Sequence, residues 1–192
     1  MTHNYFLFDF DGVINPLNRY LFGKEVITVP IDRLGGFTPD NEDEIYVPGL
    51  FTGTDIAKIH WSSELITELD SLNTETSSVI WASTWLQNAL SLLNPRLGVN
   101  WDTITFVGNK GVSVEQIWKF FALENLAASI PEGSVIHWVD DIATRDFIKG
   151  GYLEHYTKEG LPNGIVIHPY LTEGKVGITR DMVRHFKSLI PI

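Results

Sequence analysis

Two pairs of carboxylates stand out because each leaves the end of an apolar run. Asp9 and Asp11 follow Tyr5–Phe8 (Tyr-Phe-Leu-Phe), and Asp140 and Asp141 follow Val-Ile-His-Trp-Val at 135–139. In an extended segment residues i and i+2 point to the same side, so Asp9 and Asp11 face one way. Gly12 then lets the backbone turn sharply. Acids at the tip of a buried strand are costly to desolvate and need a reason to be there. Neighbouring acids such as Asp140 and Asp141 repel each other unless a cation or a helix N-terminus is close. Between the two pairs, Val79-Ile80-Trp81-Ala82 ends at Ser83-Thr84-Trp85. A hydroxyl at a strand tip before a helix suits a phosphate oxygen, although capping that helix is its commoner use.

Charge balance points to a metal. Asp9, Asp140 and Asp141 gathered in one place would repel a phosphate dianion, and a divalent cation would relieve that. Magnesium favours oxygen ligands and takes one or two carboxylates together with substrate phosphate and water. The expected ligands are the Asp9 carboxylate, the backbone carbonyl of Asp11 and the Asp140 carboxylate, with substrate and water. Zinc fits less well, since there is no cysteine and the six histidines form no pair at helical ligand spacing.

The elements that must position these groups alternate between short apolar runs and longer helical patterns, which predicts an α/β fold with a mostly parallel, Rossmann-like sheet and helices on both faces. The expected strands are Tyr5–Phe8, Ser78–Ala82, Thr103–Val107, Val135–Val139 and Gly164–His168. In such sheets ligands sit beyond the carboxyl ends of the strands. Helices are expected over Ser62–Leu72, over Trp85–Leu93 with a stop near Asn94-Pro95, and from a capping box at Ser113-Val-Glu-Gln116 to about Ala128. Two more are expected over Ile142–Lys149 and after a Thr179 cap. The stretch 15–60 is rich in Gly, Pro and Asp, with strand-like pieces at Glu25–Val29 and Glu44–Val47. It reads as a small β-rich flap inserted into one domain spanning 1–192.

Bulk properties narrow the partners. The 192 residues carry 14 basic and 24 acidic side chains, a net charge of −10, with no basic stripe for an extended nucleic-acid backbone. No apolar run is long enough for a membrane span, no secretory leader is visible at the start, and the absence of cysteine fits a cytoplasmic protein.

The segment Phe8-Asp9-Phe10-Asp11-Gly12-Val13 resembles the first motif of the haloacid dehalogenase (HAD) superfamily. Val79–Ser83 is similar to its second motif and Val135–Asp141 to its fourth, in its Asp-Asp form, which implies Asp140 as a magnesium ligand and Asp141 as a second ligand or orienter. The resemblance implies a HAD-like core and a magnesium-dependent phosphatase. Asp9 would be the nucleophile that becomes an aspartyl phosphate, and Asp11 the acid that protonates the leaving oxygen and later activates water. It also implies phosphate binding by Ser83, by the Thr84 N–H and by a lysine. Lys110 fits that lysine best, with Lys119 as the mid-helix competitor. Dehalogenases proper lack the second aspartate, so Asp11 favours phosphate esters. Trp81–Trp85, Trp138–Asp141 and Gly177–Thr179 look most like small HAD domains related to RNA-repair proteins. The implied substrates are a nucleotide, a terminal nucleic-acid phosphate or a small phosphorylated metabolite. Trp85 could stack on an aromatic leaving group or pack beneath the flap. The rival expectations are a catalytically silent HAD-like phosphate-binding protein and a receiver-like signalling domain. The residues say nothing of oligomeric state.

Overall fold

A computed structural model describes residues 2–16, 31–46, 56–85, 87–105, 117–152, 154, 156 and 161–191. Its centre is a parallel sheet whose middle strand is β1 (Asn4–Phe8), an almost unbroken apolar run. A strand buried on both faces needs no polar alternation, which is why this run has none. On one side β1 pairs with β4 (Ser77–Trp81), and β4 pairs with the two-residue β5 (Asp102–Thr103). On the other side β1 pairs with β6 (Val135–Asp140), and β6 pairs with β7 (Val166–Leu171). The order β5-β4-β1-β6-β7 reverses direction at β1, so a crevice opens beyond the carboxyl ends of β1 and β6.

Alternate residues of the strands feed two cores. Phe6, Phe8, Val79 and Trp81 point into one, with Leu65, Ile66 and Leu69 of α1 (Ser63–Asp70) and Val183 and Phe186 of α5 (Arg180–Ser188). Leu7, Ile80, Ile136 and Trp138 point into the other, with Phe120, Leu123 and Ala127 of α3 (Ile117–Ser129) and Phe147 of α4 (Ala143–Lys149). Ser62 and Thr179 cap α1 and α5 by accepting the Leu65 and Met182 N–H groups. On the solvent side Arg180 pairs with Glu64 and Lys187 with Glu68, tying α5 to α1.

A second, two-stranded antiparallel sheet joins β2 (Asn41–Tyr46) to β3 (Ile56–Trp61). It lies in the stretch expected to form a flap, and it joins the first core through Ile45, Ala57 and Ile59.

Several expectations change. The helix after Trp85 does not stop at Asn94-Pro95. It passes through a π-helical turn (Ala89–Leu93) into α2 (Asn94–Leu97) and ends at Gly98 with φ +71°. Pro95 has no N–H and would clash inside a regular α-helix. The wider turn just before it, closed by the Asn94 N–H on the Ala89 carbonyl, starts a new helix with proline in its first turn. The fifth strand starts at Val166, two residues later than expected, because Pro162–Gly164 forms a 3-10 turn. Glu25–Val29, Val47, the Ser113–Gln116 capping box and Lys110 lie outside the described residues, as do Phe106 and Val107 of the expected third strand.

Candidate functional site

Register sets the site. Phe8 is level with Trp81 on β4 and Val139 on β6, so the next residues, Asp9, Ala82 and Asp140, leave the sheet side by side. Backbone bonds extend the alignment by one step: the Ala82 N–H reaches the Phe8 carbonyl at 2.8 Å, and the Asp9 N–H the Val139 carbonyl at 3.0 Å. Two acids remote in sequence therefore meet because their strands are neighbours in the sheet.

Asp9, Asp140 and Asp141 each offer a carboxylate oxygen, and these oxygens lie within 4.8 Å of one another. At an effective dielectric near 20, two such charges at that distance repel by about 3.5 kcal/mol. The protein answers with Lys119. Its ammonium, 1% exposed, donates to Asp9 Oδ2 at 2.7 Å and to Asp140 Oδ2 at 2.5 Å. Burial works against the ammonium, but the two carboxylates more than offset it and hold Lys119 above the ordinary lysine value.

The remaining oxygens are held by backbone. Asp9 Oδ1 accepts the Phe10 N–H at 2.7 Å. Asp140 Oδ1 accepts the N–H groups of Ile142 and Ala143 at 2.8 and 2.5 Å, at the start of α4. Burial pushes the Asp140 carboxyl up, and Lys119 and the Ile142 amide pull against that. Asp141 lies in the same cluster. Burial, followed by the charges of Asp140 and Asp9, pushes it up to about 6.

Two glycines fit around Asp141. A Cβ on Gly12, whose φ is +76°, would sit 2.3 Å from Asp141 Oδ2, and one on Gly174 would sit 2.7 Å from it. The Thr172 hydroxyl donates to the Gly12 carbonyl at 3.0 Å, locking the turn after Asp11 to the loop after β7. On the far side of Asp141, Ile142, Arg145, Leu171, Thr172, Glu173 and Gly174 complete a pocket of about 630 Å³.

Asp11 takes a different part. Its carboxylate is outside the three-acid cluster and accepts Trp85 Nε1–H at 2.9 Å and Asn15 Nδ2–H at 2.7 Å. Burial raises its carboxyl, and the two donors oppose the rise. Trp85 is 1% exposed and packs edge-on against Phe10, with ring centroids 5.6 Å apart. Its ring therefore has no open face for a nucleobase and packs in the first core instead of stacking on a leaving group. Ser83 is fully buried with its Oγ accepting the Trp85 N–H at 3.4 Å, while Thr84 is exposed.

The lysine at the cluster is Lys119, the residue ranked second in the sequence for its mid-helix position, and Lys110 lies outside the described residues. A signal for Lys119 was there. It shares the i, i+3, i+4 stripe of α3 with Ala122 and Leu123, both buried, so it faces inward with them. The roles of Asn15, Trp85 and Thr172 had no local signature, because each depends on a partner distant in the chain or hidden in the turn.

No family model, no curated protein and no solved structure matches the chain.

Proposed function

We propose that this chain is a magnesium-dependent phosphomonoester hydrolase with Asp9 as nucleophile. The observation that carries the reading is the meeting of Asp9, Asp140 and Asp141 around the buried Lys119 ammonium at the sheet's switch point. Three carboxylates and one ammonium leave two negative charges, which a divalent cation balances. All donors are hard oxygens, which suits magnesium. Asp9, Asp140 and Asp141, with the Asp11 carbonyl, would hold the ion. When bound, it screens the acids from an incoming phosphate and draws charge from the phosphoryl oxygens.

The chain's own groups do the rest. The Phe10 N–H and Lys119 aim the Asp9 carboxylate, which attacks phosphorus as the ester oxygen departs. The Asp11 carboxyl gives that oxygen its proton and then takes one from the water that hydrolyses the aspartyl phosphate. Lys119 stays protonated and meets the charge on the transferring group. Ser83 and the Thr84 N–H are assigned to the phosphate oxygens. The pocket beside Asp141 has room for a small leaving group, with Arg145 on its wall for an anionic substituent. The likeness of the three acidic and hydroxyl-bearing strand ends to HAD motifs supports the same reading. The substrate class is a nucleotide, a terminal nucleic-acid phosphate or a small phosphorylated metabolite.

The test is turnover of p-nitrophenyl phosphate with magnesium and with EDTA, for the wild-type chain and for Asp9→Asn. Magnesium-dependent turnover that falls by about 1,000-fold or more in Asp9→Asn is expected. Turnover in EDTA, or wild-type rates without Asp9, overturns the scheme. Phosphate binding without turnover would mark a silent binding protein.

A further inference from the structure

Asp11 is gripped from two sides, and one of the grips reaches the flap. Trp85 Nε1–H meets one carboxylate oxygen at 2.9 Å and Asn15 Nδ2–H meets the other at 2.7 Å. Both donors are themselves fixed. Trp85 is 1% exposed, edge-on to Phe10 and followed by a helix. Asn15 is 5% exposed, and its Oδ1 accepts the backbone N–H of His60 on β3 at 3.1 Å. Its backbone closes the turn after Asp11, since the Gly12 N–H donates to the Asn15 carbonyl at 2.9 Å. A single carboxamide thus joins the carboxylate of Asp11 to the small antiparallel sheet.

We infer that Trp85 and Asn15 are positioning residues for Asp11, a clamp that holds its carboxyl toward the departing ester oxygen, with Asn15 relaying the placement of the β2–β3 sheet to it. The inference rests on the hydrolase reading above. Neither residue touches the phosphoryl group; both act through Asp11. A carboxylate on a short side chain has two χ angles to lose, and two neutral donors from opposite sides remove that freedom without adding a charge. In the first step the proton passes from the Asp11 carboxyl to the ester oxygen as the P–O bond breaks and the bond to Asp9 forms. A misplaced Asp11 therefore harms most those esters whose leaving oxygen cannot depart as an anion.

The test compares two substrates by kcat/KM, which covers only the steps up to transfer to Asp9. One is p-nitrophenyl phosphate, whose phenolate leaves without a proton. The other is a simple alkyl phosphate, whose alkoxide does not. In Trp85→Phe, which keeps the ring against Phe10 and loses the N–H, the aryl-to-alkyl ratio of kcat/KM is expected to rise at least tenfold over wild type. In Asn15→Ala a rise in the same direction is expected. Because the clamp works through Asp11, adding Trp85→Phe to Asp11→Asn should change the ratio no further. A uniform loss on both substrates, in either variant that stays folded by circular dichroism, overturns the clamp and leaves a structural role. So does a further rise in the double variant. Absence of wild-type turnover would instead sink the hydrolase reading itself.

Discussion

Lys119 shows most directly how a residue's worth depends on its surroundings. On a surface, an ion pair of this kind contributes under about 1 kcal/mol. Here the ammonium and Asp140 are both about 1% exposed and Asp9 is 11% exposed, so none can fall back on water. Removing one partner of a buried pair leaves the others uncompensated and typically costs about 3–5 kcal/mol. Lys119→Met should lower stability by that amount in EDTA, measured by urea unfolding. Magnesium should recover part of the loss, since a cation between Asp9 and Asp140 replaces the missing charge. An unchanged midpoint in EDTA would show that the two acids are not charged against Lys119. The acids themselves could be read from their places at the ends of apolar runs. For their partner, the helical stripe with Ala122 and Leu123 shows only that Lys119 faces inward; which acids it meets is decided when α3 docks.

At the scale of elements, the π-turn and α2 illustrate how a local rule yields to packing. Proline at 95 predicts a stop, yet the chain continues, and Asn94 is the reason the continuation is stable. Its Oδ1 accepts the indole N–H of Trp81 at 2.8 Å, and its Nδ2 donates to the Trp101 carbonyl at 2.8 Å. Both tryptophans are about 1% exposed or less, and their rings meet at 4.6 Å. The carboxamide therefore pins α2 to β4 and to the segment entering β5. Asn94→Ala leaves a buried indole N–H and a buried carbonyl without that partner, at about 1–3 kcal/mol each. A shift of the urea midpoint equivalent to about 2–6 kcal/mol is expected. A loss under about 0.5 kcal/mol, the usual effect of a surface change, would mean that Asn94 does not join the two elements.

For the molecule as a whole, acid sensitivity follows from a polar chain across the first core. The His185 Nε2–H donates to the Tyr170 oxygen at 3.1 Å, and the Tyr170 hydroxyl donates to His137 Nδ1 at 3.3 Å. His137 Nε2–H donates to Asn4 Oδ1 at 3.1 Å, and Asn4 Nδ2 donates to the Leu189 carbonyl at 3.3 Å. The Tyr170 link needs His137 neutral, since only a neutral ring has an acceptor at Nδ1, and the ring is stacked on Phe6 at 4.9 Å. Burial, with the charges of His168 and His185 adding to it, lowers His137 to about 4 from 6.5. The unfolded chain then takes up this proton near 6.5 while the folded chain refuses it until about 4. Stability is complete above 6.5 and drains away as pH falls toward 4, by at most about 3 kcal/mol from this group. His137→Gln should flatten that part of the curve of unfolding free energy against pH. An equal slope in wild type and variant would assign the acid loss to other groups.

Composition, periodicity and strand-end chemistry were readable along the chain. They identified an α/β sheet of parallel strands, the acids of interest and the cap at Thr179, because these are local properties of a few consecutive residues. The fold added proximity. β1 between β4 and β6 brings Asp9 level with Asp140, docking of α3 carries Lys119 between them, and the β2–β3 sheet reaches Asp11 through Asn15. Hydrogen bonds and ion pairs act over a few ångströms, and residues 110 positions apart such as Asp9 and Lys119 come within that range only when the helices and strands are packed.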